Sequence, residues 1–460
     1  MGYLRRVKYL VSWALILAAC SGGSGSPDDA GGRRTGDGGA ARDAAPSPTD
    51  GGRADGGTTE RAPGLFVDLE GLRRARARSD APEFEAIARL VRSRAGQARE
   101  RAPDPFEMED VTTIRFGWCA SVDDVDDTLR EATSKLEADS DRLRTLALAY
   151  ALDGDAADAD AALGYVRAWA SRQTVVNLHD LGVDFAAARL DAQTEGYCSD
   201  RPWNFALDAM WQSYGLINAA DAYLLLSRAG ALNDEDDATF RQWLRALTAA
   251  VNASFQAWTR WADAHPSSGS FERYRSDNHL SWALAGLMAA AAALEDDALA
   301  DYVLEGGTWD DGHGAYANPS SIRTLIDLAI EGDGRVYEER ILRDPPVGYS
   351  FFHLWAITLV ARIAEVHFGT HSSIFDEVGE DGGSLRIAFE RYAGFLTGER
   401  TSPAPDQDTG LEGYRWLYEL VLERWPDDTM RDALGDGRGR WIVQSVGAPT
   451  LLLGPSLSGG

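Results

Sequence analysis

The sequence predicts an all-α body, an incomplete α/α toroid assembled from antiparallel helix pairs. Three observations carry this. Apolar residues recur at helical spacing along most of the chain, the breaks between these stripes are short, and strand signals are few and isolated. A superhelical array of helix pairs is the alternative architecture, although no repeat of fixed period is visible.

In chain order, the first element is a leader over residues 1–19. Arg5, Arg6 and Lys8 form a charged start, and the apolar run Tyr9 to Ala19 is too short to span a bilayer. The run ends Leu17-Ala18-Ala19-Cys20, the pattern of a bacterial lipobox, so Cys20 is the expected site of lipidation. An exported protein anchored by lipid to the membrane, periplasmic or at the cell surface, is expected; an ordinary signal peptide with an incidental cysteine is the alternative. Residues 20–64 are Gly, Asp, Ala, Arg, Ser and Pro with almost no apolar side chains. Such a tract cannot bury enough surface to offset its ordering entropy and reads as a spacer.

The folded body is expected over 65–460. Leu143, Leu146, Ala147 and Tyr150 form one stripe, the turn Asp153-Gly154-Asp155 ends it, and Leu163, Val166, Trp169 and Ala170 begin the next. Asn233-Asp234-Glu235 reads as a cap with dipole-favourable carboxylates before Phe240, Trp243, Leu244, Leu247 and Val251. Later helices are expected over 277–294, 348–368, 384–396 and 411–424. The strand candidates are 174–177 and 441–446. Beyond the leader no segment reads as a membrane span.

Composition sets the outer limits. With 44% hydrophobic residues and 14 Trp the chain can bury an enzyme-sized core. A formal net charge of −27 argues against nucleic acid as a partner. It also means that an anionic ligand requires positive charge concentrated locally in a cleft. Cys119 and Cys198 either pair in the oxidising compartment that export implies or remain two free thiols. No cofactor and no metal is expected. The acidic clusters 123–127 and 234–237 lack calcium-loop spacing, and His265, His313, His367 and His371 lack ligand spacing. Neither a phosphate loop nor a nucleophile elbow is found. A monomer is expected.

Two segments place reactive side chains where helices begin. One is Arg273-Tyr274-Arg275-Ser276-Asp277-Asn278-His279 before an Ala/Leu-rich helix. The other is Arg340 to His353, in which Pro345-Pro346 blocks a helix ahead of Tyr349. Helix N-termini offer free N–H groups and partial positive charge, which suit a bound carboxylate. In a toroid, the N-termini of like-oriented inner helices gather at one end, which would bring Asn278, His279 and Tyr349 to one cleft. Read without further context, His279 and Tyr349 could equally be core residues, and Arg343 a surface partner of Glu338 or Glu339.

These segments belong to an ordered set that resembles the alginate lyase family. The stretch Leu146 to Asp155 with Arg167-Ala168-Trp169 is similar to the family's helix pair, and Asp277-Asn278-His279 to its Asn-Asn-His motif. Asp333-Gly334, Glu339, Arg343 and Tyr349-Ser350 follow its next stretch, and Glu380 to Leu385 a family turn. The resemblance runs from about Asp139 to Pro426. It implies an α/α toroid that cleaves a uronic-acid polymer by β-elimination without a metal, with an anionic polysaccharide as substrate. It further implies that Asn278 and Arg343 neutralise the uronate carboxylate, that His279 is base or carboxylate partner, and that Tyr349 protonates the leaving oxygen or itself takes the C5 proton. Base work by Tyr349 calls for a cationic neighbour, and Arg343 is the candidate; the helix start should favour neutral His279. Arg275, Arg340, Trp282 and Trp211 are the expected substrate contacts, the indoles by stacking on sugar rings. The chain departs from the motif at Asp277, where the family has Asn, and at Asp344-Pro345-Pro346. A non-catalytic glycan-binding lipoprotein is one alternative. A glycoside hydrolase using Asp277 with Asp333 or Glu339 is another.

Overall fold

A computed structural model describes residues 63–106, 122–171, 203–264, 274–312, 314–369, 373–435 and 442–453. The leader, Cys20, Cys119, Cys198, the first strand candidate, His265, His313 and His371 lie outside these residues. The longer helices are α1 (Leu69–Ser79), α2 (Glu85–Arg99), α3 (Val122–Asp153), α4 (Ala156–Ser171), α5 (Trp203–Arg228), α6 (Asp234–Ala264) and α7 (Asn278–Leu294). They continue with α8 (Asp297–Glu305), α9 (Ile322–Ala329), α10 (Tyr337–Arg340), α11 (Pro346–Phe368), α12 (Leu385–Thr397), α13 (Leu417–Val421), α14 (Asp428–Leu434) and α15 (Pro449–Leu452).

The architecture is the α/α toroid. Helices α3, α5, α7 and α11 pack side by side as an inner row, and α4 and α6 lie outside it, against α3 and α5. The inner helices run parallel, because their contact positions advance together. Leu136 meets Gly215 and Ser140 receives the Asn218 amide (3.4 Å), while Met210 faces Asn278 and Tyr214 faces Trp282. A helix surrounded on all sides must be apolar on all sides. Accordingly every residue of α7 is buried, and α11, although long and apolar enough to cross a membrane, is a core helix buried over nearly its whole length. Small residues permit the close approach. A Cβ on Gly286 would lie 2.6 Å from Ser213 Oγ and 3.0 Å from its Cα.

The predicted caps and turns form for the expected reasons. Asn233 Oδ1 accepts from the N–H groups of Glu235 (3.0 Å) and Asp236 (2.9 Å), and Gly154 takes the left-handed φ of +75° that ends α3. Three expectations need correction. Helix α11 begins at Pro346 rather than Gly348, since proline lacks only an N–H that the first turn leaves unbonded anyway. The expected helix 411–424 divides into a 3-10 turn, Leu411–Tyr414, and α13. Gly413 weakens α continuation there, and Tyr414 stacks on Phe351 (5.1 Å) while Trp416 meets Trp355 edge-on (4.8 Å). The described part of the second strand candidate forms only the bridge Val443–Gly447 around a turn. Conversely, a hairpin pairs Thr308–Asp310 with Ala315–Ala317. The Asp311-Gly312 dipeptide was its readable signal.

The core also holds an isolated acid. Asp208 on α5 is fully buried, accepts from Ser254 Oγ and from Gln212 Nε2 (2.8 Å), and its Oδ1 has no hydrogen-bond partner. Burial pushes its carboxyl up to about 7. The folded state then holds this proton more tightly than the unfolded chain. Its contribution to stability is full below pH 4 and disappears as pH rises through about 7. At about 1.4 kcal/mol per pH unit, Asp208→Asn should lower the loss of unfolding free energy between pH 4 and pH 8 by about 4 kcal/mol. Urea titrations of both proteins at the two pH values measure the difference.

Candidate active site

Inner helices α7 and α11 bring their first turns together, as the sequence reading expected. Asp277 caps α7. Its Oδ1 accepts from the His279 N–H (3.1 Å), and its Oδ2 lies 3.0 Å from His279 Nδ1. Asn278, the first helical residue, gives its backbone N–H to Glu338 Oε1 (2.8 Å), and its side-chain Oδ1 accepts from Arg343 Nη1 (2.6 Å). The Arg343 guanidinium sits 4.0 Å over the ring centroid of Tyr349, on the first turn of α11. Arg343 therefore joins the amide and the phenol directly, and Asp277, 3.9 Å from the same Nη1, links the imidazole to them. The four residues singled out for catalysis occupy one place.

Local sequence explains the reach of Arg343. Two residues past the short α10, Leu342 takes a φ of +51°, the Arg343 N–H returning to Glu338 O (2.9 Å) and the Leu342 N–H to Glu339 O (3.1 Å). This is a Schellman-type stop built without glycine, and it turns the chain toward α7. Arg343 and Tyr349 are the more open members of the group; Asn278 and His279 are almost fully covered.

Behind the cluster stands a pair that the sequence reading missed. Glu338 is fully buried, its Oε2 lies 2.8 Å from Nδ1 of the equally buried His353, and Arg343 Nη1 is 3.9 Å from its Oε1. The sequence reading left Glu338 as a surface partner of Arg343. In the fold it is a buried acceptor shared by α7, α11 and the Arg343 loop. The other candidate partner, Glu339, is held by Arg391 (2.6 Å) and the Tyr392 hydroxyl (2.7 Å). One guanidinium thus faces two carboxylates, so the described residues here do not form the local excess of positive charge expected for an anionic ligand. Recognition of an anion here must come from directed donors rather than from net charge.

The expected substrate contacts separate. Trp282 is 1% exposed, wedged between Tyr214 (4.7 Å), Phe352 (4.9 Å) and Trp355 (5.1 Å). It is a core residue without an open face for a sugar ring, because α7 is enclosed by helices on every side. Trp211 is half-buried at the edge of the same core. Arg275 lies over Tyr274 and faces Asp263 (3.8 Å), while Arg340 lies over Tyr337 and faces Glu331 (3.5 Å). Burial raises the Tyr214 phenol well above its usual value, with the charges of Glu137 and Tyr349 adding to it, and pushes Glu137 up to about 7 beside Gln444.

The α/α toroid thus gathers a phenol, an imidazole, an amide and a guanidinium at one end of its inner helices. The chain belongs to the alginate lyase family, whose sequence model matches residues 120–402, and it is a polysaccharide lyase. It is similar in fold to an alginate lyase from Bacteroides ovatus, with a TM-score of 0.52 and 15% identity over 87% of this chain and 100% of that one. Alginate lyase A1-III from Sphingomonas species A1 gives 0.53 and 15% over 86% and 97%. A Tyr-to-Phe variant of alginate lyase A1-III complexed with tetrasaccharide gives 0.54 and 14% over 86% and 97%. At these identities the likeness concerns the fold. Comparison with curated protein sequences gives no match.

Proposed function

We propose that this lyase cleaves an alginate-like polyuronate by β-elimination, with Tyr349 and His279 moving the protons and Asn278 and Arg343 holding the carboxylate. The observation that carries this reading is the position of Arg343, 2.6 Å from the Asn278 amide oxygen and 4.0 Å over the Tyr349 ring. Elimination removes the C5 proton, breaks the bond from C4 to the glycosidic oxygen and leaves a C4–C5 double bond. Charge builds on the uronate carboxylate as C5 is deprotonated, and donors fixed at that point lower the barrier. Arg343 supplies a fork of N–H groups and Asn278 an amide for it. His279 takes the C5 proton, and the Tyr349 hydroxyl gives its proton to the departing oxygen.

The paired-carboxylate alternative fits less well. Glu339 is tied to Arg391 and Tyr392, Asp333 faces Arg391 (3.4 Å), and Asp277 is buried as a helix cap. None of the three is placed as an open general acid opposite a second open carboxylate. Export and a lipid anchor at Cys20 complete the proposal and rest on the leader sequence alone.

Incubation with polymannuronate, polyguluronate and glucuronan, followed by ultraviolet absorbance of the new double bond, tests the reaction. Growth of the signal on at least one polymer is expected. Folded protein that bound a polymer without producing unsaturated ends would leave a glycan-binding module instead, and reducing ends without absorbance would mean hydrolysis.

A further inference from the structure

We propose that Asp277 is a positioning residue that fixes His279 in the Nδ1–H tautomer, leaving Nε2 as the atom that receives the substrate proton. The inference rests on the elimination reading and adds to it the atom of the imidazole that acts and the residue that selects it.

The argument is one of donors and acceptors. Asp277 presents two oxygens to one residue, Oδ1 to the His279 backbone N–H at 3.1 Å and Oδ2 to Nδ1 at 3.0 Å. Arg343 Nη1, 3.9 Å from Oδ2, supports the ionised carboxylate. An ionised carboxylate only accepts, so a hydrogen bond at Nδ1 requires the ring proton there and the lone pair on Nε2. Asparagine, the residue of the family motif at this place, cannot serve both bonds in that way. With its oxygen on the backbone N–H, its NH2 faces Nδ1 and forces the ring proton to Nε2. With the amide reversed, its NH2 faces the backbone N–H, and two donors oppose each other. Aspartate alone caps the helix and selects the Nδ1–H form together. Asp277 and His279 are 0% and 4% exposed as side chains, so water competes little for these bonds.

Among the described residues, the charged groups linked to the imidazole come from three elements: Asp277 on its own helix start, Arg343 from the loop after α10, and Glu338 on α10, itself paired with His353 of α11. Carboxylate–imidazole pairs of this kind set tautomer and orientation in other proton-transfer enzymes, and replacing such an aspartate by asparagine has cost about 10⁴-fold in rate where the wrong tautomer resulted.

The full chain labelled with 15N-histidine permits a direct test. Long-range 1H–15N correlation spectra distinguish the two tautomers, and the His279 signals are assigned by their loss in His279→Gln. The expected result is Nδ1–H in the wild type and Nε2–H in Asp277→Asn, with kcat reduced about 10²- to 10⁴-fold and KM little changed. A wild-type His279 in the Nε2–H form overturns the proposal, as does an Asp277→Asn variant that switches tautomer and keeps full kcat. A helix cap alone would lower stability without moving the tautomer. Should Asp277→Asn fail to fold, the wild-type spectrum decides. A wild type with the expected tautomer and no activity on any polyuronate would remove the elimination reading and leave the tautomer assignment standing.

Discussion

Tyr349→Phe is expected to remove at least 99% of the eliminating activity while leaving the fold unchanged. Positioned acid–base groups contribute about 10²- to 10⁴-fold in rate, and here a single phenol is assigned the proton that the departing oxygen needs. The substitution isolates that role. The ring of Tyr349 lies under the Arg343 guanidinium with its centroid 4.0 Å from Cζ, and phenylalanine keeps a face for the cation to rest on. Arg343 and its bond to Asn278 should therefore hold their positions. Because proton donation strengthens only as the C4–O bond breaks, the loss should fall on kcat and spare KM. Initial rates of double-bond formation across a substrate series, with circular dichroism of both proteins, make the measurement. A variant retaining more than about a tenth of kcat would show that another group protonates the leaving oxygen.

The sequence made much of this site legible, because local chemistry identifies helix starts. Asp277 before an Ala/Leu-rich run and Pro345-Pro346 before Tyr349 mark two N-termini, and parallel inner helices bring such ends together. The ordered motifs supplied Arg343. Burial and pairing between distant segments were not legible. In sequence Glu338 is one of two acids in the charged tetrapeptide Tyr337–Arg340, and only the packing of α10 against α11 turns it inward to meet His353. Trp282 carries the same ambiguity in reverse. An indole near reactive residues could stack on a sugar or fill a core, and its spacing along α7 does not separate the two. The three aromatic neighbours that enclose it come from α5 and α11. Asp277 shows both limits. The cap was readable from its place before the helix, whereas its second bond, to the imidazole two residues on, depends on a side-chain rotamer that sequence does not specify.

Glu338 should prove the most costly polar residue to remove from the site. Its two oxygens serve different helices, Oε1 the Asn278 N–H at 2.8 Å and Oε2 His353 Nδ1 at 2.8 Å, and the Arg343 guanidinium stands 3.9 Å away. Glu338→Ala leaves a helix-start N–H and a buried imidazole without their acceptor and takes one counter-charge from Arg343. Breaking a buried charged group away from its partners costs about 3–5 kcal/mol. Glu338→Gln preserves volume and should cost less, about 1–3 kcal/mol. Its oxygen can still accept from Asn278, but its NH2 then faces His353 Nδ1 and drives the ring proton to Nε2, an atom already buried without a hydrogen-bond partner. Both variants should also lose elimination activity, since the Asn278 backbone and the Arg343 side chain are positioned partly through this carboxylate. Denaturant unfolding ranks the three proteins, with wild type most stable, Gln intermediate and Ala least. An alanine variant within about 1 kcal/mol of wild type would mean that the buried carboxylate is replaceable by water, and that Asn278, Tyr349 and Asp277 suffice to hold Arg343.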